Sequence, residues 1–424
     1  MNLGWGGIAR LGLVQAMLGA VVVLTTSTLN RVMVVELALP ALLPGLLVGL
    51  HYAVQLSRPR MGYGADRSAR RTPWIAGGMA VLALSGWLAA LATAWMTTDR
   101  TAGIALAVLA FTGVGLGVSA AGTSLLTLLA TRVAPARRRA AAATVWVVMI
   151  AGFAVTAGLA GRFLDPYTPA RLVAVSGTVS AIALVVVLLA LWRLEAAMAP
   201  GAGSARGFAP GSAPGAAQGS AHDGDAGAMT RQRFMAALAE VWSDAQARRF
   251  TVFVFASMVA YSAQDLILEP FAGLVFGWSP GETTRLSGLQ HGGTLAGMLL
   301  ASLAGRRIGG VSLGSLRAWI VGGCVASGVA LLGLAAGGLA AAPHWPLGAN
   351  VFLLGAANGA FSIAAIGAMM ALAGGSAAAR GREGTRMGLW GAAQAIGFAG
   401  GGLIGAAASD VVRWLTGSPV WAYA

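Results

Sequence analysis

The sequence has no lysine and a single cysteine, Cys324. One thiol excludes an intrachain disulfide and leaves no C-x-x-C pair for redox or metal chemistry. Acidic residues number only 14 in 424, and the four histidines lack the spacing of a zinc site. No glycine-rich phosphate loop follows a strand pattern. Paired carboxylates in a cleft, a catalytic triad and an ATPase motif are also missing, so the expectation is that the chain is not an enzyme and holds no metal. The 28 basic residues, all arginine, give a formal charge of +14, which raises the question of nucleic acid. Only 10% of residues are charged, however, and the arginines sit in short clusters between apolar runs. The charge therefore reads as membrane topology, not as a nucleic-acid surface.

What the sequence does have is apolar length. Hydrophobic residues make up 57% of the chain and the mean hydropathy is +0.75, values of a polytopic membrane protein. A helix needs about 20 mostly apolar residues to cross the hydrocarbon core. Eleven such runs are bounded by charge or by Pro/Gly punctuation: 10–29, 38–57, 73–96, 102–131, 141–161, 170–192, 250–270, 284–304, 315–340, 347–373 and 385–408. The first lacks a small-residue cleavage site and is expected to be a retained helix. The closing DVVRWLTGSPVWAYA is too short and too broken to cross, so a twelfth helix is expected to be incomplete. Between them, PGAGSARGFAPGSAPGAAQGSAHDGDAGAM has almost no large apolar residue and reads as a linker. It leads into an amphipathic stretch in which Phe234, Leu238 and Trp242 recur every four residues. The expected organisation is an N-terminal half at 1–194, a linker at 195–248 and a C-terminal half at 249–424, the two-half plan of many transporters.

Arginine placement sets sidedness, because cytoplasmic loops carry the basic excess. The connections after runs 2, 4, 6, 8 and 10 hold Arg58 to Arg71, Arg132 to Arg139, Arg193 to Arg249, Arg306 with Arg307, and Arg380 to Arg386. The other connections hold at most two arginines each, offset by acids. The N-terminus is expected in the cytoplasm.

The connection after run 2 reads Gly62-Tyr63-Gly64-Ala65-Asp66-Arg67-Ser68-Ala69-Arg70-Arg71. It resembles the G-x-x-x-D-R-x-G-R-R loop of the major facilitator superfamily, departing only at Ala69. The resemblance implies an all-α fold of two pseudo-symmetric six-helix halves. It also implies a cytoplasmic latch formed by Gly62, Asp66, Arg67, Arg70 and Arg71, with Asp66 directed at the eleventh helix. A weaker echo, Gly305-Arg306-Arg307-Ile308-Gly309-Gly310, follows run 8. Finer segments narrow the family. STLNRVMVVELALPALLPGLLVGLHYAVQ at 27–55, FVFASMVAYSAQDLILEPFAGLVFGWSPGETTRLSGLQHGG at 253–293, and AEVWSDAQARRF before run 7 resemble the PucC-like family of phototrophic bacteria. That family includes the light-harvesting assembly factors PucC and LhaA and a sibling named as a bacteriochlorophyll synthase chain. GLHYAVQLSRPRMGYGADRSARRT is most similar to the last of these.

Polar residues at membrane depth are costly and are the natural site candidates. Run 1 ends in Asn30-Arg31 with Glu36 following; run 7 ends in Gln264-Asp265 with Glu269 before Pro270. The expectation is a periplasmic-side charge network in which Arg31 pairs with Asp265 or Glu269, set against four solvated headgroup-zone charges. His51 with Gln55, and His291 with Gln290, occupy runs 2 and 8, with Gly49, Gly292 and Gly293 beside them. A neutral imidazole can ligate the magnesium of a bacteriochlorophyll or bond a ring substituent, or it can simply bond a neighbouring helix. Gln15, Asn350, Asn358 and Gln394 read as interhelical glue.

The family resemblance implies an integral membrane factor that binds, shuttles or delivers bacteriochlorophyll or a precursor, in the inner (intracytoplasmic) membrane. Its implied partners are the bilayer, the light-harvesting polypeptides or the pigment-attaching synthase. Two other classes stay open: a proton-coupled transporter of a small hydrophobic or anionic solute, and a non-transporting assembly scaffold.

Overall fold

A computed structural model describes residues 3–58, 70–134, 137–195, 242–303, 307–308, 311–312, 314–340, 344–374 and 383–423. The helices are α1 Trp5–Glu36, α2 Leu42–Ser57, α3 Thr72–Trp95, α4 Arg100–Arg132, α5 Arg138–Leu164, α6 Pro169–Leu191, α7 Ala245–Phe276, α8 Pro280–Ala301, α9 Leu316–Leu339, α10 Leu347–Gly374, α11 Glu383–Thr416 and α12 Pro419–Tyr423. Among the described residues, nine helices are long and apolar enough to cross a membrane. Of the others, α2 is apolar but short, and α8 has the length but is diluted by Thr283, Thr284, Ser287, Gln290 and His291, all buried against neighbours. Arg307–Ile308 pairs antiparallel with Val311–Ser312, so the weaker arginine echo after α8 includes one arm of a two-residue ladder.

Packing repeats with a shift of six helices. In the first half α1 lies on α5, α2 on α4, and α3 on α4. In the second half α7 lies on α11, α8 on α10, and α9 on α10. Helix α6 packs on α1, α3 and α5; the five-residue α12 packs on α7, α9 and α11, the place that the symmetry gives a twelfth helix. The halves meet along α2 with α11 and α5 with α8. This is the all-α, major-facilitator-type polytopic membrane fold.

Within lipid there is no hydrophobic drive for one helix to join another, so close backbone approach has to supply the attraction. Glycine permits it. A Cβ on Gly297 would lie 1.9 Å from the Ala356 carbonyl oxygen, and one on Gly355 would lie 2.0 Å from that of Gln290, so α8 and α10 touch backbone to backbone. Large apolar side chains such as Leu109, Phe163, Leu189, Leu332 and Trp414 point outward.

Several boundaries lie outside the apolar runs, among them the ends of α1 at Glu36, α7 at Phe276 and α11 at Thr416, and polar caps explain two of the displaced starts. The sequence puts the start of α7 near 250, but Asp244 accepts from the Gln246 N–H at 2.9 Å and starts the helix at Ala245. Trp242, at the end of the amphipathic stretch, is exposed, while Phe234, Leu238 and positions 196–241 lie outside the described residues. The second run starts at 38 by hydropathy, whereas α2 begins at Leu42, where a carboxylate from α11 meets its first N–H groups.

Candidate functional site

The site lies where α1 crosses α7 and α8, between the halves. Helix α1 carries two π-helical turns, Leu24–Thr28 and Val32–Glu36, on either side of Leu29–Arg31. Such turns disturb the regular spacing and collect at functional places. Opposite them, α7 contains Pro270, which has no N–H and so deprives the carbonyl four residues back, that of Leu266, of its donor. The Asn30 side-chain amide donates to that Leu266 oxygen at 2.7 Å. A break in one half is thus repaired by a side chain from the other.

One turn further along α7, Glu269 is buried and gathers both halves. Ser27 of α1 donates to its Oε1 at 2.6 Å and Ser287 of α8 donates to the same oxygen at 2.5 Å, while the two serine oxygens lie 3.2 Å apart. Thr28 and Thr284 bond each other at 3.0 Å. The other carboxylate oxygen of Glu269 is enclosed without a hydrogen-bond partner among the described residues.

Arg31 does not pair with Asp265 or Glu269. Its ion pair is with Glu36 of its own helix, and it also donates to the Trp278 carbonyl at 2.6 Å. The π turn is the physical reason: its i→i+5 hydrogen bonding brings a residue five positions on alongside the arginine. Of the four charges, Arg31 and Glu269 are buried, at 2% and 1% exposed, Asp265 is half-buried, and Glu36 is exposed. The Arg31 guanidinium lies 3.0 Å from where a Cβ on Gly273 would stand, so glycine there makes room for it. The structure therefore brings Asn30, Arg31, Glu36 and Glu269 to one region, with Asp265 one turn from Glu269, but divides them into an ion pair within α1 and a hydroxyl-bridged carboxylate between halves. The Gln264 amide nitrogen is enclosed without a hydrogen-bond partner among the described residues.

The imidazoles occupy the interface helices. His51, on α2, is buried; its Nε2 lies 2.8 Å from the Gln55 amide nitrogen, and Gln55 in turn accepts from Arg58. With its oxygen engaged by Arg58, Gln55 presents N–H to His51, which makes Nε2 the acceptor and assigns the imidazole proton to Nδ1. That Nδ1 is enclosed without a hydrogen-bond partner among the described residues. Tyr52 stacks on Phe398 of α11 at 5.3 Å between ring centroids, and Tyr261 of α7 meets the same ring edge-on at 5.8 Å. His291, on α8, packs edge-on against Phe153 of α5 at 5.0 Å; its Nδ1 is likewise enclosed with no hydrogen-bond partner among the described residues. Gln290 beside it is buried.

The glue residues bond across helices. Gln15 donates to Met149 Sδ at 3.2 Å, Asn350 to the Ala330 carbonyl at 2.8 Å, and Ser327 to Asn358 at 2.9 Å; Gln394 lies 3.7 Å from Met258 Sδ. Of the arginine-rich loop, Gly62, Asp66 and Arg67 lie outside the described residues; Arg70 is exposed. The Arg71 and Thr72 N–H groups and the Thr72 hydroxyl all donate to Glu195, which caps α3 from just beyond α6. Burial works against ionisation of Glu195, but the bonds from Thr72 and Arg71 and the nearby charge of Arg132 outweigh it and hold the carboxyl below its ordinary value.

Sequence reasoning missed Ser27, Thr28, Thr284, Ser287 and Glu195. A signal existed for the hydroxyls: Thr283, Ser287, Gln290 and Thr294 fall at i, i+4, i+7 and i+11, one polar face of α8. For Glu195 there was none, because its partners are 124 positions away.

A family model described as PUCC protein matches residues 28–424. The chain is 50% identical over 413 residues to the "Bacteriochlorophyll synthase 44.5 kDa chain" of Rhodobacter capsulatus, covering 97% of this chain and 89% of that one. It is 29% identical to "Protein PucC" of the same organism, covering 96% and 83%. Among solved structures, a bacterial homologue of the iron transporter ferroportin in an inward-facing state superposes with a TM-score of 0.64 at 13% identity, covering 94% and 91%. A bacterial homologue of the lysosomal transporter Spinster, also inward-facing, gives 0.63 at 15%, covering 96% and 82%. At those identities the likeness concerns the fold alone. The chain belongs to the PUCC protein family and carries its sequence on a major-facilitator-type fold.

Proposed function

We propose that this protein binds bacteriochlorophyll or a precursor as cargo within the membrane and hands it on, serving pigment synthesis or light-harvesting complex assembly. The relatives' names support the pigment context. The absence of a catalytic constellation from the sequence favours a carrier over a catalyst. On the sidedness that the arginines imply, the N-terminus is cytoplasmic, the location is the inner membrane of a phototroph, and the Arg31 end of the bundle is periplasmic.

The observation that carries the reading is the pair of buried imidazoles, His51 and His291, each with an enclosed Nδ1 that has no hydrogen-bond partner among the described residues. A buried polar nitrogen left unpaired costs on the order of 1–3 kcal/mol, which a bond to a ligand would offset. The two differ in chemistry. His51 has its lone pair taken by Gln55 and offers an N–H, suited to a carbonyl on a tetrapyrrole rim. The imidazole of His291 makes no hydrogen bond among the described residues and has a lone pair for the central magnesium.

Protein purified in mild detergent from a pigmented host should show tetrapyrrole absorption. His291→Leu should remove most of it, and His51→Leu should shift the band or lower occupancy. Full pigment in the double variant would overturn the assignment. Proton-coupled transport is the second reading, and the observation favouring it is Glu269, a buried carboxylate held by a serine from each half. Uptake into proteoliposomes under a pH gradient, without bound pigment, would select it. Co-purification with light-harvesting polypeptides or the pigment-attaching synthase, with neither pigment nor uptake, would select the scaffold.

A further inference from the structure

At the end of the bundle that holds Arg31 and Glu36, two helices of the interface begin, one in each half. Both start with N–H groups that have no partner inside the helix. Helix α2 has no side-chain cap of its own. The N–H of Ala41 donates to Asp410 Oδ1 at 2.8 Å and that of Leu42 to Asp410 Oδ2 at 2.7 Å, and Asp410 belongs to α11 in the opposite half. Helix α8 begins with Pro280, and Ser279 with Glu282 forms its capping box, which leaves the Gly281 N–H. That group donates at 3.1 Å to Oδ1 of Asp165, the residue that follows α5 in the first half. Asp165 Oδ2 also lies 3.4 Å from Arg285.

The six-helix shift that relates the halves turns α5 into α11 and α2 into α8. Asp165 on Gly281 and Asp410 on Ala41 and Leu42 are therefore the same contact made twice, once in each direction across the interface. We infer that Asp165 and Asp410 form a two-point carboxylate latch that holds this end of the two halves together. A carboxylate at a helix N-terminus meets both donors and the positive end of the helix dipole. Each bond crosses between halves, so any motion that parts them here must break both and leave the N–H groups of Ala41 and Leu42 in one half and of Gly281 in the other without these acceptors. The α8 side is also sterically matched: a Cβ on Gly281 would lie 2.2 Å from the Asp165 carboxylate and 2.4 Å from the Gly161 carbonyl oxygen.

Spin labels on Thr98, in the α3–α4 turn, and on His344, before α10, report the separation of the halves at this end; both positions are exposed. In a Cys324→Ser background, Asp165→Ala with Asp410→Ala should lengthen the inter-label distance and raise the open population about tenfold over the parent. Each single change should give part of that effect. Gly281→Val, a steric wedge at the same contact, should lengthen it as well. Should the alanine pair not yield folded protein, Asp165→Asn with Asp410→Asn carries the test, because asparagine keeps one acceptor and loses the charge; an intermediate shift is then expected. A folded, monodisperse double variant of either kind with the parent distance distribution would overturn the latch.

Discussion

Asn30 makes the clearest single-residue case, because what it does is fixed by a proline in another helix. Pro270 leaves the Leu266 carbonyl without a donor, and Asn30 supplies one across the interface. Within a membrane bundle water is scarce, so Asn30→Ala should cost about 1–3 kcal/mol of stability, the penalty of an unsatisfied buried carbonyl. Pro270→Ala restores an N–H within α7. In that background the loss from Asn30→Ala should be much smaller, which thermal unfolding of the four proteins in one detergent would measure. Equal losses in both backgrounds would mean that Asn30 stabilises by some other contact. At this scale the sequence was legible in kind but not in pairing. Asn30, Arg31, Glu36, Asp265 and Glu269 stand out because charge and amide are rare in apolar runs. Which of them meet depended on a π turn, and nothing in VMVVE distinguishes it from an ordinary helical turn.

Whole elements were read from apolar length, and the starts of α2 and α7 were displaced where a cap, not hydropathy, decides. Helix α3 starts within one residue of its apolar run and is capped as well: its first N–H groups are satisfied by Glu195, from beyond the end of α6. That carboxyl is held below its ordinary value, so the sign of its pH effect is determined. It stabilises the native state at pH values above the unfolded glutamate value of about 4.3, and the contribution disappears as pH falls through the lower native value. Glu195→Gln keeps one acceptor and removes the charge. The unfolding temperature of the variant should lie below that of the parent at pH 7, and the gap should narrow as the solution is acidified past that range. A gap that is constant with pH would show that the cap does not depend on ionisation. Helix α8 illustrates the opposite limit of apolar length: its polar residues lower its hydropathy, yet among them are Thr284 and Ser287 of the site.

For the molecule as a whole, two halves were legible because a low-complexity stretch separates two sets of apolar runs. What holds the halves together was not legible, since it consists of glycines, hydroxyls and carboxylates that pair over more than a hundred positions. Those contacts are numerous and mutually consistent: α2 on α11, α5 on α8, the Ser27–Glu269–Ser287 bridge, Asn30 on Leu266, and the paired caps at Asp165 and Asp410. If they are sufficient, the covalent connection is dispensable. Two polypeptides divided within 196–241 and expressed together should assemble in the membrane and co-purify in equal amounts through a tag on either one. Asp165→Ala with Asp410→Ala should then lower the yield of the pair while each half alone still inserts. Halves that insert but never co-purify would mean that the interface is too weak by itself, and that the connecting segment keeps the effective concentration of one half near the other high enough for the closed end to form.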